Sequence, residues 1–249
     1  MKYVLAAIFA IMGSQAPAIA PGASVAPAYD GYLKFEAEIA AFAKRDATGG
    51  VEAGRTLFVG SSSIRMWDIK SSFPEAAAIN RGFGGATTAD VLHYYADVIA
   101  KYRPSSVIVY VGENDIAAGH TPEEASADVL RLLARIRTDL PDARIAYLSM
   151  KPSPSRWALW PKLEAINKAV RSESRKTGSF DYVDVVDALM TEKDVPDPRF
   201  YAADGLHLNA QGYASWTDIV DDYLDNPRPR SRGPAVASSK PAGKGSTTQ

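Results

Sequence analysis

The sequence predicts an α/β protein in which a five-stranded parallel sheet is covered by helices on both faces. Three observations carry that expectation. Five short runs dense in apolar residues lie at 56–59, 76–79, 105–111, 143–149 and 180–186. Segments with apolar residues at helical spacing alternate with them. The runs read as continuous rather than alternating, as strands do when both faces of a sheet are buried.

The elements follow in order. The stretch 32–45 places Leu33, Phe35, Ile39, Phe42 and Ala43 on roughly one helical face. Thr56 to Val59 is a buried strand ended by Gly60. The stretch 76–79 is a weaker strand before Asn80 and a cluster of glycines, and 89–102 reads as one helix with Val91, Leu92, Tyr95, Ile99 and Tyr102 on its stripe. The stretch 105–111 is the strongest strand, rich in β-branched residues and closed by Gly112. Thr121, Pro122 and Glu124 form a capping box with proline at the first helical position, opening a helix whose core face is Ala125, Val129, Leu132, Leu133 and Ile136. A strand at 143–149, a helix at 159–176, a strand at 180–186 and a closing helix at 210–224 complete the series.

The 249 residues carry 28 basic and 29 acidic side chains, 46% apolar and 23% charged residues, and no cysteine. That composition excludes a disordered chain, a coiled coil and a dedicated nucleic-acid binder. The missing cysteine excludes a disulfide scaffold, a thiolate-bound metal, an iron–sulfur cluster and a thiol nucleophile. The charge is unevenly spread. Residues 1–28 hold one basic residue and no acid, 226–249 five basic residues and no acid, and 29–225 therefore 22 basic against 29 acidic, a net of −7.

Lys2, the apolar run to Met12 and the small residues Ala16, Pro17 and Ala18 have the order of a secretory leader, predicted over 1–18. The run is too short to span a bilayer, which takes roughly 20 residues. Residues 19–29 read as a linker, 30–225 as the folded domain and 226–249 as a basic, disordered tail rich in Pro, Gly, Ser and Ala. The protein is accordingly expected outside the cytoplasm, with no transmembrane span after cleavage.

In a parallel sheet covered on both faces, ligands bind beyond the carboxyl ends of the strands. Gly60-Ser61-Ser62-Ser63 follows the first strand, Asn80 to Gly85 the second, Gly112-Glu113-Asn114-Asp115 the third, and Asp204-Gly205-Leu206-His207 precedes the last helix. The set holds hydroxyls, carboxylates, a histidine and amide donors, the parts acyl transfer requires. Asp204 and His207 are three residues apart, so one turn lets the carboxylate fix the imidazole tautomer and turn Nε2 outward. His93 lies within a helix beside two tyrosines and His120 just before the capping box. Spacing alone does not choose among Ser61, Ser62 and Ser63. A dinucleotide reading of the glycines fails, because Thr87 stands where the third glycine is needed. No Gly-x-Ser-x-Gly elbow and no His-Glu-x-x-His segment occurs, and no metal or cofactor is expected.

These four blocks, in this order, resemble those of the SGNH hydrolases, the GDSL-type esterases and lipases, over about residues 56–224. The resemblance implies a flavodoxin-like α/β/α sandwich and a serine esterase. It implies Ser62 as nucleophile, His207 as base, Asp204 as its orienting partner, and an oxyanion hole of the Ser62 N–H, the Gly85 N–H and the Asn114 side chain. Two positions depart from the family pattern: Ser61 replaces the aspartate before the serine, and Ala86 replaces the aspartate after the second-block glycine. The implied substrates are small-molecule esters, short-chain or acetyl, with acetylated carbohydrates among them and lysophospholipids or thioesters as the alternative. Pro152, Pro154, Trp157 and Trp160 lie near the expected binding edge, as an aromatic wall or as packing, and Arg65 next to the serines meets an anionic group or an ion-pair partner.

Overall fold

The structure, a computed structural model, describes residues 30–50 and 52–226. The chain divides into a unit of residues 1–31 and a unit of residues 32–249, and the sheet with its helices belongs to the second. The expected leader and linker, and the tail from 227 onward, lie outside the described residues.

Helix α1 (Glu36–Gly49) leads to strand β1 (Thr56–Gly60), the single-turn helices α2 (Ser62–Arg65) and α3 (Ile69–Ser72), and strand β2 (Ile79–Gly82). Helices α4 (Thr88–His93) and α5 (Tyr95–Val98) precede β3 (Ser106–Tyr110), α6 (Glu113–Ala117) and the long α7 (Pro122–Asp139). Then come β4 (Arg144–Leu148), α8 (Trp160–Thr177), β5 (Asp181–Val183) and α9 (Ala210–Asp225). The strands form one parallel sheet in the order β2-β1-β3-β4-β5. The predicted fold class is the observed one.

Side chains of a strand alternate between faces, and here both faces are filled. Leu57, Val59, Val107, Val109, Ile145 and Tyr147 point into one core with α1, α4, α5, α7 and α8. Phe58, Ile108, Tyr110, Ala146 and Leu148 point into the other with α2, α3 and α9. The chain order reverses between β1 and β3, and the crevice beyond the carboxyl ends of those two strands is where such sheets take their ligands. No helix among the described residues is long and apolar enough to cross a membrane.

Four elements differ from the sequence expectation, one of them β5, which keeps only Asp181–Val183 of the expected 180–186. Strand β2 begins where the predicted run ends, and Asn80 and Arg81 lie inside it. The apolar alanines before it instead form a 3-10 turn and a left-handed residue, Ala77 at φ 45°. Arg81 is tolerated in the strand because it is paired: it donates to Asp46 of α1 and to the Tyr102 hydroxyl. The predicted helix 89–102 is broken at Tyr94 and Ile99 into α4, α5 and a 3-10 turn, each piece still burying its apolar residues. Helix α1 starts at Glu36 rather than 32, after a 3-10 turn. The capping box stands as read: the Thr121 hydroxyl accepts from the Glu124 N–H and the Glu124 carboxylate from the Thr121 N–H.

Candidate active site

Ser62 opens α2 just after the inner strand β1, and that short turn is held from three sides. Asn80 of β2 donates to the carbonyls of Ile64 (2.7 Å) and Trp67 (3.1 Å) and accepts from the Gly82 N–H (2.9 Å). The Tyr213 hydroxyl of α9 donates to the Ser63 carbonyl (2.9 Å), and the Ser61 N–H to the Tyr110 carbonyl (3.1 Å). Gly82 is required by this closeness, since a Cβ there would stand 2.3 Å from the Arg65 nitrogen. The expected serine cluster is therefore a rigid turn. Ser61 and Ser63 are buried, and Ser62 is partly exposed.

His207 comes to this turn from the segment before α9. Its Nε2 lies 2.9 Å from Ser62 Oγ, and its Nδ1 lies 2.6 Å from Asp204 Oδ2. The other Asp204 oxygen accepts the N–H groups of Leu206 (2.9 Å) and His207 (3.0 Å), which locks the turn that aims the ring. The hydrogen bond from His207, followed by those two backbone donors, draws the Asp204 carboxyl down from 3.8 to about 2. With His207 20% and Asp204 49% exposed, the pair is open to solvent on one side.

A lowered carboxyl adds stability above its unfolded pKa and loses it as pH falls through the folded one. The stability gap between wild type and Asp204→Asn should hence persist down to about pH 4 and close toward about pH 2. Urea unfolding of both proteins across that range measures it; a gap that closes already between pH 7 and 5 would contradict this linkage.

Gly85 lies exposed in the loop after β2, at φ 75°. Asn114 of α6 reaches that loop, its Nδ2 donating to the Ala86 carbonyl at 3.0 Å. The Phe83 N–H donates to the Gly60 carbonyl (3.0 Å), tying the same loop to the strand that carries Ser62. The structure thus brings Ser62, His207 and Asp204 into one hydrogen-bonded line, and joins the segments of Gly85 and Asn114 beside the end of β1.

Several residues of this neighbourhood were not singled out from sequence. Glu113 is buried and accepts from the Tyr110 hydroxyl (2.7 Å), Lys151 Nζ (2.9 Å) and Arg156 Nη1 (3.1 Å). Burial alone would raise its carboxyl, but the charges of Lys151 and Arg156 and the donated hydrogen bonds outweigh that and hold it below the ordinary range. Arg156 also donates to Asn114 Oδ1 at 3.1 Å. On the other flank Glu38 of α1 accepts from the Gly84 N–H (3.1 Å) and pairs with Arg65 (3.4 Å), so Arg65 has its ion-pair partner. The only signal for Arg156 in the sequence was its place in the loop beyond β4. Trp157, in the same loop, stacks on Trp160 at the start of α8 with ring centres 6.0 Å apart, and Trp160 packs against the core.

Among the described residues one group of metal-ligand type, Asp115, His120 and Asp128, brings its atoms within 4.8 Å of one another. Both Asp115 oxygens already accept the Thr88 N–H, and Asp128 pairs with Arg131 at 2.7 Å. Asp115 thereby ties α6 to the start of α4.

The model of the GDSL-like lipase/acylhydrolase family matches residues 65–215, more than half of the chain. The chain belongs to that family. The matched span begins just after Ser62 and includes Gly85, Asn114, Asp204 and His207. The platelet-activating factor acetylhydrolase IB subunit alpha2 of Gallus gallus is 28% identical over 168 residues, 64% of this chain and 70% of that protein. Among solved structures, a candidate platelet activating factor of Streptococcus pneumonia superposes with a TM-score of 0.69 at 23% identity, covering 78% of this chain and 94% of its own. An acetyl-xylooligosaccharide esterase of Geobacillus gives 0.57 at 14% identity, covering 73% and 99%. The resemblance to SGNH hydrolases is thereby established, and the protein is an acylhydrolase of the GDSL type in fold and family.

Proposed function

We propose that this GDSL-type acylhydrolase cleaves carboxylic esters of short acyl groups through an acyl-enzyme on Ser62. The observation that carries the reading is the continuous line from Ser62 Oγ through the His207 ring to Asp204, at 2.9 and 2.6 Å. Ser62 Oγ attacks the ester carbonyl as His207 Nε2 takes its proton. Asp204 holds the Nδ1 proton and stabilises the imidazolium that forms. The oxyanion is received by the N–H groups of Ser62 and Gly85 and by Asn114 Nδ2. His207 then protonates the departing alcohol, and water activated by the same nitrogen releases the acid from Ser62. The partial exposure of the His207–Asp204 pair leaves that water a direct approach.

The acetyl or short-chain preference is supported by the relatives, two of which are named for the removal of acetyl groups. Trp157, half-buried beyond β4 and stacked on the core-packed Trp160, supplies an aromatic surface there, which favours acetylated carbohydrates among the substrates. The leader-like order of residues 1–18 supports action outside the cytoplasm, a reading that fractionation of expressing cells tests. The decisive experiment combines a fluorophosphonate probe with p-nitrophenyl esters. Wild type should be labelled on Ser62 and should turn over the acetate faster than the decanoate. Faster turnover of the decanoate would move the reading to a lysophospholipase or thioesterase, and no labelling at all to a catalytically silent binding module.

A further inference from the structure

An asparagine serves an oxyanion only in one of its two orientations. Its carboxamide oxygen and nitrogen are nearly the same size, and a half-turn about the last torsion exchanges them. One orientation aims an N–H at the developing negative charge; the other aims a lone pair at it and turns a stabilising group into a repelling one. Something in the protein must therefore distinguish the two ends of Asn114.

Two contacts do so, and they agree. Arg156 Nη1 donates to Oδ1 at 3.1 Å, and Nδ2 donates to the Ala86 carbonyl at 3.0 Å. The flipped amide would set N–H against a guanidinium and oxygen against a carbonyl. Of the two hydrogens on Nδ2 one is used by Ala86, which leaves the second for substrate. The Arg156 nitrogen is itself fixed. It also donates to Glu113 Oε1 at 3.1 Å, so its two hydrogens serve Glu113 and Asn114 together. The other Glu113 oxygen is held by Lys151 and Tyr110 at 2.9 and 2.7 Å, all three residues being buried. The loop carrying Arg156 is docked in turn on the Asp204 turn, where the Ser155 N–H donates to the Gly205 carbonyl at 3.0 Å.

We propose that Arg156 is a positioning residue that sets the polarity of the Asn114 carboxamide and thereby the donor character of the oxyanion site. This rests on the esterase reading above. The guanidinium also polarises the amide it binds, which strengthens the N–H at the far end. A purely structural Arg156, present only to neutralise Glu113, would be largely redundant with Lys151, whose ammonium reaches that carboxylate by itself.

The test is a cycle of Arg156→Met, Asn114→Ala and the double variant on p-nitrophenyl acetate. Loss of one oxyanion donor lowers turnover by roughly 10²–10³, and that is expected for Asn114→Ala. Arg156→Met should lower kcat by about 10- to 100-fold with little change in KM, less than full loss of the donor, because Ala86 still favours the correct orientation. Placed on the Asn114→Ala background, Arg156→Met should add nothing, since its effect passes through Asn114. Arg156→Lys keeps the charge on Glu113 and replaces Arg156→Met if the latter does not fold; its smaller kcat loss should also vanish on the Asn114→Ala background. If Asn114→Ala is slow while the arginine variants match wild type, or if the two losses multiply, Arg156 has no such role and the esterase reading is untouched. If Asn114→Ala is as fast as wild type, or wild type is inert, the esterase reading of the site is overturned and the inference with it.

Discussion

Ser62→Ala should remove ester hydrolysis almost entirely, a loss of roughly 10⁴- to 10⁶-fold in kcat, the range found when the nucleophile of a serine triad is deleted. The size follows from the geometry. Ser62 Oγ is the hydroxyl that His207 Nε2 meets at 2.9 Å, while Ser61 and Ser63 are buried on either side with 3% and 2% of their surface exposed. His207→Ala on the Ser62→Ala background should cost nothing further, because the pair acts as a unit. Ser62 has little part in packing, so the urea midpoint should stay at the wild-type value. Turnover of p-nitrophenyl acetate by purified Ser62→Ala at more than a few per cent of wild type would sink the assignment and return the search to its two neighbours.

The second large effect concerns the fold rather than the reaction. Gly60 ends β1 at φ 145°, and a Cβ there would stand 1.8 Å from the Tyr110 carbonyl oxygen of the adjacent strand β3. Neither partner can yield, because both are backbone of paired, fully buried inner strands. Gly60→Ala should therefore destabilise by about 4 kcal/mol or more, the size reserved for severe core disruption, and leave little soluble protein. Gly119→Ala is the control. That glycine also has positive φ, at 99°, but nothing lies within 4 Å of its would-be Cβ, so about 1–2 kcal/mol of backbone strain is expected. Urea unfolding of the two variants separates close approach from conformation; equal losses would show the Tyr110 contact to be unimportant.

Much of this architecture was legible locally. The capping box at Thr121, the β-branched run of β3 and the helical stripe of α7 are decided by neighbours in sequence, and each formed where expected. The misplaced β2 has the opposite origin. Arg81 becomes a strand residue because of Asp46, 35 positions earlier, and no pattern around Arg81 reveals that partner. The same distinction runs through the site. Asp204 and His207 declare each other by a three-residue spacing, whereas the choice among three adjacent serines is made by a histidine 145 positions away. Arg156 was hidden for the same reason, since both groups it binds lie more than 40 positions before it.

The paired Arg81 has a consequence beyond holding α1 to the sheet. Strand β2 is one border of the sheet and β5 the other, and a border offers unpaired amides to any passing extended chain. At β2 the cationic Arg81 side chain is turned inward and paired with Asp46 of α1. A foreign strand that displaced α1 to pair there would leave that charge stranded in an apolar setting, at a penalty of several kcal/mol. At β5 the strand is three residues long, too short to template an added strand. The two borders thus discourage the sheet from growing into polymers, by electrostatics on one side and by brevity on the other.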